Sequence, residues 1–272
     1  MPITVAVVPS ATPGDSRAAL AAVCDALGAI LRERVTAFHP DSYMQLVDAL
    51  QKDRVQYAWM SPALVVLAGE HIQLRPLLSP VRGDLTTYRG VLFVDARSAL
   101  HTIDDLRGKR VAWVDQTSAA GYLYPRLELA ARGIDVAVLF SEELYARSHA
   151  DVVRAVLDGR ADVGATYAIR PPDGQPIRRA AFVDVAPERP VRIIEWTAEI
   201  PNDAICGHGL LSKQEHRVFG NAILTLCEQE HGRRLLFEAF HAERFVATPR
   251  NAFKPLWRLV EEARMHGLLT HL

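Results

Sequence analysis

The chain has 272 residues, 49% of them apolar and 23% charged, with a formal net charge of −1. That length can hold two compact lobes, and the composition is that of an ordinary globular protein. The near-neutral charge excludes the basic surface that nucleic-acid binding needs, and no apolar stretch reaches the roughly 20 residues that would insert in a membrane.

The chain enters a strand pattern at once, Ile3–Val8, with no basic segment followed by an apolar one. No secretory leader is therefore read in the sequence, which implies a cytoplasmic protein, or a periplasmic one whose leader has been removed. Turn residues fill Pro9–Gly14. A helix follows from about Asp15, with Leu20, Val23, Cys24, Leu27 and Leu31 on one face. Val35–Phe38 reads as a second strand. Asp41 or Ser42 can cap a helix carrying Met44, Val47 and Leu50. Val55–Met60 is a third strand, and Ser61-Pro62 opens a short helix with proline in its tolerated first turn. This β-α-β-α-β order predicts a mostly parallel sheet covered by helices.

A second series begins at the strand Tyr88–Val94. A helical turn is expected at Ile103–Leu106, a strand at Val111–Val114 and a helix over Ala119–Arg132, ended by Gly133 and kinked locally at Pro125. Val136–Phe140 reads as a strand. Ser148-His149-Ala150-Asp151 is a capping box opening a helix that Gly159 ends, and Asp162–Thr166 is a strand. Pro171–Arg189 reads as an irregular connection, Val191–Trp196 as a strand, and the chain from about Ser212 as mainly helical. With that tail packed back on the first unit, lobe 1 comprises residues 1–87 plus 204–272, and lobe 2 residues 88–203. The fold class expected is α/β, two Rossmann-like lobes. Crossings near Val81–Arg89 and Ala198–Asp203 would form a hinge with a central ligand cleft.

Three scattered cysteines, Cys24, Cys206 and Cys227, make no disulfide framework; Cys24 and Cys227 read as buried thiols. The ten histidines show no metal-ligand spacing, so neither metal nor cofactor is expected. There is no Gly-x-Ser-x-Gly and no phosphate-binding Gly-Lys-Ser/Thr loop. No catalytic residues are assigned, and the protein is expected not to be an enzyme.

The most informative stretch is Asp115-Gln116-Thr117-Ser118-Ala119-Ala120-Gly121-Tyr122-Leu123-Tyr124-Pro125. An apolar strand feeds it and a helical pattern leaves it. The first turn is built from small residues, so a ligand can approach the backbone N–H groups that a helix start leaves unpaired. The stretch resembles the helix-start motif of phosphonate- and phosphite-binding proteins of ABC importers, which carry Ser-x-Ser-Gly-Tyr at this point. Further pieces resemble that family in the same order: Asp41–Met44, Val55–Pro62, Tyr88–Val94, Leu106–Trp113, Ser148–Val153, Gly159–Thr166 and Ile200–Asp203.

The resemblance implies a type II periplasmic-binding-protein-like fold with a central ligand cleft. It also implies a non-catalytic solute-binding protein that closes two lobes over a small anion, with an ABC permease as partner. Tyr43 and Tyr88 would donate phenolic hydroxyls. Thr117 and Ser118 would meet the ligand together with the N–H groups of Ala119 and Ala120. His149 would donate a ring N–H, and Asp203 would face the ligand's far end. Ser10, Trp59, Ser61 and Tyr167 are candidate pocket lining. Each also has an ordinary structural role open to it: packing for the aromatic residues, capping for Ser118, a solvated first turn for His149, a turn for Asp203.

The chain departs from the family pattern at Ala119 and Ala120, where the family supplies hydroxyls. Nor does it place a carboxylate after Thr166, where aminophosphonate binders carry one. A smaller or less charged head, or a partly apolar or aromatic ligand, fits these changes better than 2-aminoethylphosphonate. The alternative kept open is a cytoplasmic enzyme or ligand sensor on the same scaffold, of the kind that resembles menaquinone- or thiamine-pyrimidine-biosynthesis proteins.

Overall fold

The computed structural model describes residues 2–7, 16–81, 85–116, 118–171, 175–242 and 244–265, and the side chains of all of these except Ser16, Tyr43 and Ala263. In chain order the elements are β1 (Ile3–Val7), α1 (Ser16–Leu31), β2 (Val35–Phe38), α2 (Tyr43–Gln51), β3 (Tyr57–Met60), α3 (Pro62–Gly69) and β4 (Leu74–Pro80). Next come β5 (Thr87–Asp95), a 3₁₀ turn (Asp104–Leu106), β6 (Lys109–Trp113), a π-helical turn (Ala119–Leu123), α4 (Tyr124–Ala131), α5 (Val136–Leu139) and β7 (Phe140–Tyr145). Then follow α6 (His149–Leu157), β8 (Val163–Ala168), α7 (Ala181–Val185), β9 (Val191–Pro201) and β10 (Ala204–His208). The chain closes with α8 (Lys213–Glu228), α9 (Glu230–Phe240), β11 (Phe245–Ala247) and α10 (Lys254–Met265).

Contacts divide the chain into two compact units, Met1–Thr86 with Pro201–Phe253, and Thr87–Ile200 with Lys254–Leu272. The last helix therefore belongs to the second unit, where α10 packs on α4, and not to the first as the sequence suggested. Its buried Leu256 and Val260 gave no clue as to which lobe they would cover.

The first unit holds a six-stranded sheet in the order β11-β4-β10-β3-β1-β2. β1 is parallel to β2 and β3, whereas β10 runs antiparallel to β3 and β4, and β11 antiparallel to β4. The sheet is mixed where a mostly parallel one was expected, because β4, β10 and β11 do not follow the β-α-β repeat. β4 carries Pro76, which has no N–H to give the ladder, and the β10 register shifts between Ile205 and Cys206 beside it. α1, α8 and α9 supply Leu20, Val23, Leu27, Phe219, Ile223, Leu226 and Leu236 to the core, with Tyr57 stacked on Phe219 at 3.6 Å.

The second unit holds a five-stranded sheet in the order β7-β6-β8-β5-β9, with β6 parallel to β7 and β8, and β5 antiparallel to β8. Along β5, Val91 and Phe93 enter one apolar cluster and Leu92 and Val94 another. The sheet is thus covered on both faces, which explains the unbroken apolar run of this strand. Val136–Phe140, expected as a strand, is mostly α5: Asp135 caps it by accepting the Ala137 N–H at 2.9 Å. Short apolar runs do not distinguish helix from strand. The true strand, β7, lies at the rim of the sheet with Ser141 and Glu142 exposed, so it lacks an apolar signature. The connection after Ile169 contains α7, with Phe182 buried.

Candidate functional site

In the second unit, β6, β7 and β8 are parallel, so their carboxyl ends share one end of the sheet. β5 starts there too, since Arg89 lies opposite Ala168. This arrangement gathers Tyr88, the Ser118 helix start, His149 and Tyr167 at one end, the usual ligand side of an α/β sheet. The loops leaving β6 and β7 are tied together: the Ala146 N–H donates to Trp113 O and the Arg147 N–H to Val114 O, each at 2.8 Å.

Ser118 is the N-cap of the π turn, with extended backbone (φ −74°, ψ 117°), and its Oγ accepts the Gly121 N–H at 3.1 Å. Among the described residues its own hydroxyl proton has no acceptor, which leaves it to a ligand. The Ala119 and Ala120 methyls are buried, and their N–H groups belong to the first turn, which has no preceding carbonyls to bond. No acidic residue stands in that turn. Gly121 is required sterically: a Cβ there would lie 2.3 Å from Val114 Cγ2. Gly90 serves similarly, because a Cβ would sit 3.0 Å from Ala120 O.

The expected kink at Pro125 takes a specific form. The Leu123 and Tyr124 N–H groups bond five residues back, to Ser118 O (2.9 Å) and Ala119 O. Pro125 then falls in the first turn of α4, where no N–H is needed. The Gly121 carbonyl, which a residue at 125 with an N–H would have served, accepts the Val114 N–H at 3.1 Å instead.

His149 is the first residue of α6. Its Nδ1 lies 2.9 Å from Thr166 Oγ1, and its ring meets Tyr167 edge-on at 5.0 Å. Burial pulls its pKa down to about 4, against an opposing pull from the Asp115 carboxylate, so the ring is neutral near neutral pH. The Tyr167 hydroxyl donates to Asp184 Oδ2 at 2.7 Å. Sequence reasoning missed Thr166, Asp115 and Asp184. Thr166 left one signal, a polar residue within the apolar strand Val163–Ala168; Asp184 left none, since α7 reaches Tyr167 only through space.

The first unit shows the same arrangement on its own sheet. β1, β2 and β3 are parallel, and β10 starts at their carboxyl end, with Ala204 opposite Met60. That end carries Tyr43, whose side chain is outside the described set, as the first residue of α2. Ser42 caps that helix by accepting the Gln45 N–H at 3.2 Å. Ser61 caps α3, accepting from Leu64 N–H at 3.4 Å. Asp203 is half-buried in the turn between β9 and β10. Beside it the buried Asn202 amide donates to Pro80 O (3.0 Å) and Leu85 O (3.2 Å), which fixes that turn. Ser10 and Thr117 lie outside the described residues. Trp59, expected as pocket lining, is a core residue: its ring packs on Phe240 at 4.9 Å and Phe245 at 6.0 Å.

Among the described residues no group of three or more His, Cys, Asp or Glu side chains is placed to hold a metal ion, and no helix is long and apolar enough to cross a membrane. Cys24 and Cys206 are buried free thiols, and burial pushes the Cys24 thiol up to about 12.

The family described as the periplasmic substrate-binding protein of phosphonate ABC transporters matches residues 5–252. The phosphate-import protein PhnD of Mycolicibacterium smegmatis is 24% identical over 176 residues, 61% of this chain and 54% of that protein. The chain thus spans about half the length of this curated relative. XAC2383 from Xanthomonas citri, solved bound to ATP, is similar with a TM-score of 0.81 at 22% identity, covering 98% of this chain and 99% of that one. PhnD1 from Prochlorococcus marinus (MIT 9301), solved with methylphosphonate, has a TM-score of 0.70 at 17% identity, covering 98% of each chain. At these identities the solved structures establish the fold alone, that of type II periplasmic-binding proteins.

Proposed function

The chain belongs to the family of periplasmic substrate-binding proteins of phosphonate ABC transporters, and we propose that it is a non-catalytic binder of a small oxyanion. The observation that carries this reading is the Ser118 helix start: a hydroxyl whose proton has no acceptor among the described residues, first-turn N–H groups, and no acidic residue in that turn. His149 adds a neutral ring and Tyr88 a phenol at the same end of the sheet. In the first unit, Tyr43, Ser61 and Asp203 are the further ligand contacts that the family resemblance suggests.

Phosphate and alkylphosphonates are the first candidates. Ala119 and Ala120 offer no side-chain hydroxyl, and each charged hydrogen bond missing there weakens binding by about 1.5–3 kcal/mol. The ATP carried by the Xanthomonas citri relative makes a nucleotide phosphate a further candidate. The family is one of binding proteins rather than enzymes, so the ligand is returned unchanged, and an ABC permease is the proposed partner. Of the two compartments kept open by the sequence, the family favours the periplasm, which cell fractionation checks.

The test is isothermal titration of ligand-stripped protein with phosphate, phosphite, methylphosphonate, 2-aminoethylphosphonate, sulfate, ATP and aromatic carboxylates. The expected result is micromolar or tighter binding of one oxyanion, weakened about tenfold by Tyr88→Phe. Silence across the panel would overturn the proposal.

A further inference from the structure

Thr166 is fully buried in β8. Side chains alternate along a strand, so Gly164, Thr166 and Ala168 face one way. That way lies α6, because a Cβ on Gly164 would meet Val152 and Val156 at 2.8 Å. The Thr166 hydroxyl therefore points at the helix that begins with His149. Among the described residues its one hydrogen-bond partner is His149 Nδ1, at 2.9 Å.

A hydroxyl can donate or accept, and so can a neutral imidazole nitrogen. The two choices here are not equivalent. If Nδ1–H donated to Oγ1, the Thr166 proton would be buried without an acceptor, which is costly. If Oγ1–H donates to Nδ1, both groups are satisfied and the ring proton sits on Nε2. The edge-on contact with Tyr167 at 5.0 Å holds the ring against rotation.

We infer that Thr166 is a positioning residue: it fixes His149 in the tautomer protonated on Nε2, so that the ring meets the ligand as a neutral hydrogen-bond donor. This rests on the reading of His149 as a ligand contact. It also narrows the ligand class, because the atom facing Nε2 must be an acceptor. An unprotonated oxyanion oxygen satisfies it, whereas an ammonium group, which has no lone pair to offer, does not.

Long-range proton–nitrogen correlation spectra of the ligand-free full chain read the tautomer directly. Wild type should show a pyridine-type Nδ1 and a protonated Nε2. In Thr166→Val the ring should become a mixture of tautomers, and affinity for phosphate or methylphosphonate should fall about tenfold. Thr166→Ser should restore both. A protonated Nδ1 in wild type, an unchanged tautomer in Thr166→Val, or no rescue by Thr166→Ser would overturn the assignment. Failure of the functional reading shows separately: neither anion binds wild type, or His149→Ala binds as well as wild type, while the ligand-free spectra still judge Thr166.

Discussion

Of the serines that start helices in this protein, Ser212 and Ser118 make the sharpest contrast in what their first turns offer a ligand. Ser212 opens α8 with a complete capping box. Its Oγ accepts the Glu215 N–H at 3.2 Å, and the Glu215 carboxylate accepts the Ser212 N–H at 2.7 Å. The free donors are answered from within, and a negative charge guards the turn. Ser118 accepts one N–H, from Gly121, and is followed by two alanines and a glycine. Ser148 stands between them: its hydroxyl is spent on Asp151, at 2.6 Å, and the residue offered is its neighbour His149. A helix start becomes an anion site through what its first turn leaves out.

The comparison can be broken most severely at Gly121. In Gly121→Ala the new methyl meets Val114 Cγ2 at 2.3 Å and Ser118 Oγ at 2.9 Å. Overpacking of this kind costs about 1–3 kcal/mol, so the denaturation midpoint should fall and oxyanion binding should be lost. A midpoint equal to wild type would show that the strand and the helix start can move apart.

Paired serine variants sharpen the contrast. Each of Ser118→Ala and Ser212→Ala removes a cap worth about 1 kcal/mol, visible in chemical denaturation. Ser118→Ala should also lower oxyanion affinity by about tenfold or more, and Ser212→Ala should leave it unchanged. Equal affinities in the two variants would remove the distinction between the two starts.

The His149 start brings a pH dependence. In the unfolded chain this histidine takes a proton near its ordinary value of 6.5, while the folded protein refuses it down to about 4. Its contribution to stability is therefore complete above 6.5 and is lost as pH falls toward 4. Burial lowers the pKa of His216 as well, which adds a loss of the same sign. Comparing wild type with His149→Gln across this range should show a shallower fall in the variant. The smallest effect is expected at Cys24→Ser, in the core of the first unit, where titration should find affinity unchanged.

The sequence carried some of these features and hid others for identifiable reasons. The β6 strand and the Ser118 start were legible because an apolar run, an N-cap residue and small residues follow one another. The Ser148 cap was legible from Asp151 three residues on. β4 escaped because Pro76 and Pro80 read as breakers, although proline is tolerated where the ladder shifts register. The packing of Trp59 on Phe240 and Phe245 was hidden because nothing in its own segment announces them. The pairing of His149 with Thr166 joins a helix start to a neighbouring strand. It becomes visible only once β8 and α6 are packed.

Pro125 has a consequence for the rotational phase of α4. An extra residue in one turn swings everything after it by about 100° around the helix axis. The π turn inserts such a residue between Ser118 and α4. With Pro125 denying the Gly121 carbonyl its usual donor, the start cannot rewind into ordinary α-helix without stranding that carbonyl, which Val114 now holds. Pro125 thus works as a ratchet: it keeps Leu127 and Leu129 turned to the interior while the Ser118 donors face their own way.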